Sequence, residues 1–478
     1  MRGLRLITWA AISAFVLGAC GSTNSTPAGA IQSASTTTAP AAVSGTIHWF
    51  VGLGPGTSPS QIDAEKAMVE DYNKNNRDGI TIKLEIEPNA VAYDVLKSEM
   101  AAGNSPDIIG PVGTKGRNGF EGLFLDLTNE IAKNNYDTKA FPDSLVKFFQ
   151  QGGDGQIGLP YDIYPGYIWY NKDAFAKAGL PPLPTTVGAT YQGQTWDWNE
   201  LEKVAKTLTL DKNNKAAGTT GFDATNIVQY GMDFPSADAR RIASCFGAGS
   251  FVASDGKTAQ IPTAWSDAFT WYNNAVWTDH IVPTAAVESS ALLGQGNSQA
   301  SGKVAMTASW GWSIGSLWDT ATNSAKMKGW DMAVMPSWKG TTTSPLDADT
   351  FTISKASKNP DAAFKAMVAI MADPNLMSVY GGEPARTADQ AAYFTKFDAT
   401  LAPIFPTNKV TWSVLGEMVK YPAVPSQEAN MPDFNGATND YGAFMAKLQS
   451  KSGLNVATEL AKLKTTLQAD FDSAQPLN

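Results

Sequence analysis

The 478-residue chain contains one match to a catalytic motif, GWSIG at residues 311–315. In α/β-hydrolases the G-x-S-x-G pattern carries a nucleophilic serine, and the acid and then the histidine of the triad follow it along the chain. Both histidines of this chain, His48 and His280, precede Ser313. The serine therefore has no general base downstream, and we interpret the match as accidental and expect no catalytic residue.

Metal and dinucleotide sites are also disfavoured by the sequence. The two histidines are isolated, and the chain has no HExxH and no CxxC motif. The glycine-rich stretch GLGPG at residues 52–56 follows a strand-like run, but Thr57 stands where a dinucleotide-binding turn has its third glycine, and Pro55 lacks a backbone N–H. We expect no metal and no cofactor, and we interpret this stretch as a ligand-binding loop at the carboxyl end of a strand.

Aromatic side chains are the more informative signal. The chain has 14 Trp and 14 Tyr, although only 17% of its residues are charged. Several of these rings cluster at residues 161–170, 310–318 and 330–338. Aromatic faces beside Asp, Asn and Arg suit sugars, because a sugar has apolar C–H faces and hydroxyl edges that need polar partners. More than half of the rings are nevertheless expected to belong to the core.

Composition limits the other partners and the architecture. Lys and Arg number 36 against 45 Asp and Glu, which gives a net charge of −9, and no block of basic residues occurs. Nucleic-acid binding needs a basic face that displaces phosphate counterions, so no nucleic acid is expected. With 43% apolar residues the chain can bury sizeable cores, and its length fits two large lobes.

The N-terminus predicts export and lipid attachment. Two arginines precede an apolar run over residues 6–17 that is too short to span a bilayer, and the sequence LGAC then ends at Cys20. This pattern resembles a bacterial lipoprotein signal, whose cysteine is lipidated and becomes the mature N-terminus. We expect residues 1–19 to be removed and Cys20 to hold the protein at the outer face of the cytoplasmic membrane. An ordinary signal peptide with a chance cysteine is the alternative.

The segment after the signal is predicted to be a flexible tether, and the chain has one further cysteine, Cys245. Residues 20–44 are predicted to form the lipidated cysteine and a flexible linker, since Ser, Thr, Ala, Gly and Pro dominate them and none is charged. Such a coil reaches about 25–30 Å from its anchor. Cys245 has no cysteine partner if Cys20 is lipidated, and its apolar neighbours predict that its thiol is buried.

The body of the chain alternates between strand and helix signals. Strand-like runs occur at residues 46–51, 80–86 and 106–110, and helix signals lie between them at about residues 58–75 and 92–102. Alternation with short connections predicts right-handed βαβ units in a parallel sheet. The predicted fold class is therefore α/β.

A series of short motifs, in order over most of residues 45–385, resembles the solute-binding proteins of carbohydrate ABC importers, the bacterial extracellular solute-binding family that includes maltose- and trehalose/maltose-binding proteins. The motifs are SPDII at 105–109, GQIGLPYD at 155–162, WYNKDAF at 169–175, AGL at 178–180, TWDW at 195–198, GKVAMT at 302–307, WGW at 310–312, WDMAVMP at 330–336, TISK at 352–355 and GGEPAR at 381–386.

The resemblance implies a two-lobe, periplasmic-binding-protein-like α/β fold. The chain would cross several times between the lobes, first near residues 160–166 and again near residues 335–337, and a sugar would lie in the interlobe cleft. The implied ranges are 45–161 and 336–376 for the N-terminal lobe, and 162–335 and 377–478 for the C-terminal lobe.

The resemblance also implies which residues bind the ligand. Asp162 and Tyr164 would hydrogen-bond to the sugar and stack on it. Trp310 or Trp312 would be the stacking platform of the second lobe, and Arg386 would clamp hydroxyl groups. The other candidates are Tyr161, Trp49, Asp347 and Asp349.

The implied function is delivery of a disaccharide or oligosaccharide to an ABC permease driven by a cytoplasmic ATPase. The protein would act as a lipid-anchored monomer and would make or break no bonds. Two alternatives stay open at this point. A lipid-anchored glycoside hydrolase would need two carboxylates about 5–9.5 Å apart, and a polysaccharide adhesion module would have one lobe or an open groove.

Overall fold

The structure is a computed structural model that describes residues 44–151, 155–235, 242–294, 298–312, 318–319, 324–325, 329–426 and 428–474. The predicted signal segment, Cys20 and the tether up to residue 43 lie outside these ranges, as do residues 313–315 of the GWSIG stretch. Within the ranges, no helix combines the length and the apolar character needed to cross a membrane.

Nineteen strands are described, many of them only two residues long. They are β1 Gly45–Val51, β2 Ile80–Ile86, β3 Ile108–Val112, β4 Gln150–Gln151, β5 Gly155–Gln156, β6 Leu159–Pro165, β7 Tyr167–Asn171, β8 Thr190–Tyr191, β9 Gln194–Thr195, β10 Leu210–Asp211, β11 Ile227–Asp233, β12 Val304–Ser309, β13 Trp318–Asp319, β14 Ser324–Ala325, β15 Trp330–Ala333, β16 Ser337–Trp338, β17 Thr341–Thr342, β18 Leu346–Ile353 and β19 Glu383–Pro384.

The helices alternate with these strands and cover their sheets. The described α-helices are Pro59–Asn75, Asn89–Ala101, Thr114–Gly119, Thr128–Lys133, Asp143–Phe148, Lys172–Lys177, Trp198–Leu208, Thr263–Trp277, Ala285–Glu288, Pro360–Met371, Pro374–Tyr380, Thr387–Leu401, Ser413–Met418, Phe434–Ser450 and Val456–Ser473.

Local sequence explains why these elements form. In β2, buried Ile80 and Ile82 alternate with exposed Thr81 and Lys83, so the strand has one buried and one solvated face. The helix Trp198–Leu208 begins after Asp197, whose side chain accepts the backbone N–H of Glu200 and so caps the first turn. The apolar residues of this helix form one buried face.

The first sheet has the spatial order β19-β6-β18-β3-β1-β2. Strand β1 pairs in parallel with β2 and β3, which confirms the predicted βαβ arrangement. Strand β18 is antiparallel to both β3 and β6, so β6 runs in the same direction as the first three strands. The carboxyl ends of β1, β2, β3 and β6 therefore meet at one edge of the sheet.

The second sheet has the order β10-β11-β12-β7-β15. Gly166 alone separates β6 of the first sheet from β7 of the second, and the chain returns to the first sheet between β15 and β18. Residues 162–165 and 383–384 pair within the first sheet, although the ranges implied by the resemblance place them in the C-terminal lobe. The lobe ranges themselves stay a prediction.

The two crossings touch each other at Gly166. Its backbone N–H donates to the carbonyl oxygen of Pro345 at 2.9 Å, and its own carbonyl accepts the hydroxyl of Ser344 at 2.9 Å. A β-carbon at this position would lie 2.6 Å from Cγ of Pro345. The close approach of the two crossing segments therefore requires glycine.

Each sheet has an apolar core of its own. Nine of the 14 tryptophans are buried, which agrees with the expectation that more than half of the rings belong to the core: Trp49, Trp169, Trp196, Trp198, Trp265, Trp271, Trp310, Trp330 and Trp412. The thiol of Cys245 is also fully buried in the second core, which confirms the prediction for this residue.

Candidate ligand-binding site

Strands β6 and β18 bring four of the candidate residues together. The register pairs Asp162 with Asp349 and Tyr164 with Asp347. All four lie toward the edge of the first sheet at which β6 ends. The backbone N–H of Thr114, just after β3, donates to Asp347 Oδ1 at 3.0 Å and joins a third strand end to the group.

Asp162 and Asp349 form a buried carboxyl pair. Asp162 has no exposed surface, and Asp349 is 4% exposed. Burial raises the pKa of Asp162 to about 7, while burial and then repulsion from Asp162 raise the pKa of Asp349 well above its usual range. Oδ1 of Asp162 and Oδ2 of Asp349 accept no N–H or O–H from another described residue. This arrangement fits a proton shared by the pair.

The two tryptophans of the WGW motif stack on each other, with centroids 4.8 Å apart and planes at 13°. Trp310 is 1% exposed, and its Nε1–H donates to the carbonyl of Pro345 at 2.8 Å. Trp312 is 40% exposed, and its ring meets Tyr164 edge-on at 5.1 Å. Trp312 can therefore offer a ring surface to a ligand, with Trp310 packed against it.

Tyr164 links this indole to the carboxyl pair. Its hydroxyl donates to Asp162 Oδ2 at 3.3 Å, while its ring contacts Trp312. Trp312 follows β12 of the second sheet, and Tyr164 belongs to β6 of the first. A molecule bound at this contact would touch segments from both sheets.

A cavity of about 930 Å³ lies beside this contact, and Tyr161, Trp312 and Arg386 all line it. The Arg386 guanidinium packs over the rings of Phe141 and Tyr136, at 4.7 and 5.4 Å, and its Nη2 donates to the Tyr136 hydroxyl at 2.8 Å. The cavity is large enough for a drug-sized or oligosaccharide ligand.

Sequence analysis missed most of the aromatic wall of this cavity. The additional rings are Tyr136, Phe141, Tyr380, Tyr393 and Phe397. These residues are scattered over two helices and two loops, so no local cluster marks them. The GGEPAR motif was the one available signal, because it leads directly into the helix Thr387–Leu401 that carries two of the rings.

Trp49 occupies a different environment from the other candidates. Its indole has no exposed surface, its Nε1–H donates to the carbonyl of Gly110 at 2.6 Å, and its ring packs against Phe351 at 6.1 Å. It therefore has neither an open face nor a free N–H for a ligand. We assign Trp49 to the core of the first sheet and omit it from the site.

The glycine-rich loop after β1 lies at the same sheet edge as the carboxyl pair. Its Leu53 carbonyl accepts the backbone N–H of Gly113 at 3.2 Å. A β-carbon on Gly113 would lie 3.1 Å from Asp349 Oδ1 and 3.6 Å from Asp347 Oδ1. The loop is thus beside the site, as expected for a loop at the carboxyl end of a strand.

The geometry also bears on the enzyme alternatives. Asp162 and Asp349 are buried side by side on neighbouring strands, whereas a glycoside hydrolase needs two carboxyl groups on either side of the scissile bond, about 5–9.5 Å apart. Among the described side chains, no group of three or more His, Cys, Asp or Glu is placed to hold a metal ion.

The sequence profile of a family described as bacterial extracellular solute-binding protein matches residues 58–374. The chain belongs to this family. Membership supports the expected export of this solute-binding protein, since the family is an extracellular one.

Several solved structures have folds similar to that of this chain. M. tuberculosis UspC is 19% identical, with 89% of this chain and 100% of that chain covered and a TM-score of 0.66. The sugar-binding protein MalE from Xanthomonas citri is 13% identical, with 90% and 98% covered and a TM-score of 0.66. Lmo0181 from Listeria monocytogenes, an ABC substrate-binding protein solved in complex with cycloalternan, is 20% identical, with 89% and 98% covered and a TM-score of 0.62. At these identities the likeness confirms the two-lobe α/β fold of the solute-binding protein.

Proposed function

We propose that this solute-binding protein is the carbohydrate receptor of an ABC importer. The observation that carries the proposal is the contact between Trp312, Tyr164 and the carboxyl pair. It sets an open indole face beside a buried carboxyl pair with two oxygens that accept no bond from a described residue, which matches a sugar with one apolar face and hydroxyl edges. Because the rings come from both sheets, a bound sugar would bridge the two lobes.

The similar structures support a carbohydrate ligand. Lmo0181 is described in complex with cycloalternan, and the X. citri protein is described as sugar-binding. The aromatic cavity next to Trp312 adds room for a disaccharide or an oligosaccharide. The site residues in this proposal are Tyr161, Asp162, Tyr164, Trp312, Asp349 and Arg386, with Trp310 packed against Trp312.

The protein in this proposal is a carrier and not an enzyme. Delivery requires reversible binding, and Asp162 and Asp349 lie side by side on neighbouring strands instead of flanking a sugar as an acid and a base would. The partner is the permease of the importer with its cytoplasmic ATPase. Lipidation of Cys20 and the linker up to residue 44 would hold the monomeric receptor near that permease.

A thermal-shift screen against mono- and oligosaccharides tests the proposal, followed by chromatography of the recovered sugar. A ligand at 100 times its Kd stabilises the folded state by about 2.7 kcal/mol. We expect at least one sugar to raise the melting temperature and to be recovered intact. Absence of any shift across the panel, or steady turnover of the sugar, would contradict the carrier function.

A further inference from the structure

The aromatic cavity contains two side-chain cations that form no ion pair within the described structure. The Arg386 guanidinium makes one side-chain hydrogen bond, from Nη2 to the Tyr136 hydroxyl at 2.8 Å. Lys396 Nζ donates to the hydroxyl of Ser378 at 3.0 Å. Both of these partners are neutral hydroxyl groups, so the positive charges of Arg386 and Lys396 are not neutralised by direct contact.

Two carboxylates also line the cavity, and both have other roles. Asp373 accepts the backbone N–H groups of Asn375 and Leu376 and caps the helix Pro374–Tyr380. Asp389 lies in the first turn of the helix Thr387–Leu401, where a negative charge offsets the positive end of the helix dipole. Neither carboxylate forms an ion pair with Arg386 or Lys396 among the described residues.

The Arg386 guanidinium is held in place before any ligand arrives. Its plane packs over Phe141 at 4.7 Å and over Tyr136 at 5.4 Å, and the Tyr136 hydroxyl fixes one of its nitrogens. A guanidinium has five N–H donors in a fork that matches the two oxygens of a carboxylate or a phosphate. The remaining donors of Arg386 are therefore presented in a fixed geometry that suits an anion.

We propose that the ligand of this cavity is an acidic oligosaccharide, whose carboxylate or phosphate group binds Arg386 with Lys396 as a second positive charge. The proposal rests on the carbohydrate-binding function and adds the chemical class of the sugar. The whole chain has a net charge of −9, so it does not attract anions in general. Selection of an acidic sugar then depends on these two local cations.

Isothermal titration of the purified full-length protein with matched sugar pairs tests the proposal. The panel contains oligomers of glucuronate, galacturonate and mannuronate, the same oligomers with methyl-esterified carboxyl groups, sugar phosphates, and maltotriose as a neutral sugar. We expect one acidic member to bind at least 10-fold tighter than its neutral counterpart, with an affinity that falls as salt is added. Preference for a uronate or for a phosphate identifies the source of the charge.

Substitutions of Arg386 and Lys396 show whether the charge or the shape of each side chain contributes to sugar binding. Arg386→Gln should weaken binding of the acidic sugar roughly 10- to 100-fold more than binding of the esterified sugar. Arg386→Lys should be intermediate, because it keeps the charge and loses the fork. Lys396→Met should have a smaller effect, and Lys464→Met, which removes an exposed charge on the helix Val456–Ser473, is the matched control and should have none.

The outcomes distinguish this proposal from the underlying function. If neutral sugars bind and no acidic sugar binds tighter than its neutral counterpart, the acidic class is wrong and the carbohydrate receptor stands. If no sugar of either kind binds, both proposals fail. If Arg386→Gln weakens binding of the acidic and the esterified sugar equally, the Arg386 side chain contributes only its shape. That result would also overturn the proposal that its positive charge binds an anionic group of the sugar.

Discussion

At the scale of single residues, exposure separates two tryptophans that the sequence leaves equivalent. Trp312 has an open surface, whereas Trp310 is buried with its N–H bonded to Pro345. We expect Trp312→Ala to weaken sugar binding by about 10-fold or more, because a stacked ring contributes on the order of 1–3 kcal/mol. Trp310→Ala should instead lower the free energy of unfolding by about 3–5 kcal/mol. Calorimetric titration measures the sugar affinity of both variants, and urea unfolding measures their stability. Loss of stability in Trp312→Ala together with loss of sugar affinity alone in Trp310→Ala would contradict these roles.

The carboxyl pair gives a residue-scale prediction about pH. The pKa of Asp349 is raised in the folded state, so folding keeps a proton that the unfolded chain releases above about pH 4. Stability from this group is therefore present below that pH and is lost as pH rises toward the folded pKa. Asp349→Asn keeps a hydrogen-bond donor and removes the ionisation.

We expect Asp349→Asn to have a higher urea midpoint than the wild type at pH 7.5 and little gain over it at pH 4.5, because only the wild type pays for the raised pKa of Asp349 as pH rises. Urea titrations of both proteins at several pH values measure the difference, in which carboxyl groups away from the pair cancel and the altered titration of Asp162 counts with that of Asp349. A difference that stays constant with pH would show that Asp349 is not held protonated.

At the scale of elements, the crossing at Gly166 controls how the two sheets are joined. A β-carbon there would lie 2.6 Å from Cγ of Pro345, so Gly166→Ala should destabilise the fold by about 1–3 kcal/mol. Gly442→Ala is the matched control, since Gly442 lies in the helix Phe434–Ser450 with no atom near its missing β-carbon. That change should stabilise by about 0.5–1 kcal/mol. Thermal unfolding of both variants measures the two changes in stability. A similar loss of stability in both variants would show that a clash with Pro345 is not the cause of the effect at Gly166.

At the scale of the whole molecule, the proposed ligand contacts join segments of both sheets. Tyr164 belongs to β6 and Trp312 follows β12, so a sugar between them should favour a closed arrangement of the lobes. We expect small-angle scattering to show a smaller radius of gyration at saturating sugar. A radius that stays constant, with binding confirmed by titration, would contradict closure.

The membrane anchor is a second whole-molecule prediction. Cys20→Ala should release the protein from the membrane fraction or leave the signal segment attached, because the alanine side chain has no thiol to be lipidated. Cys245→Ala is the control, since this thiol is buried in the second core. Retention of the Cys20 variant in alkaline-washed membranes would place the anchor elsewhere.

The sequence by itself determined features that depend on near neighbours in the chain. Alternation of strand and helix signals predicted the parallel β1, β2 and β3, apolar neighbours predicted the buried Cys245, and the ordered motifs predicted the family and the two-lobe fold. Each of these signals depends on residues that are close in the sequence, so it could be recognised without knowing which strands pair.

The tertiary structure alone decided which candidates share one site. The pairing of β6 with β18 joined Asp162 to Asp349, and the core around β1 enclosed Trp49. Tyr136 and Arg386 are 250 residues apart in sequence, yet their side chains form one wall of the cavity. Burial and contact at such separations depend on how the two sheets and their helices pack together, and local sequence patterns carry no information about that packing.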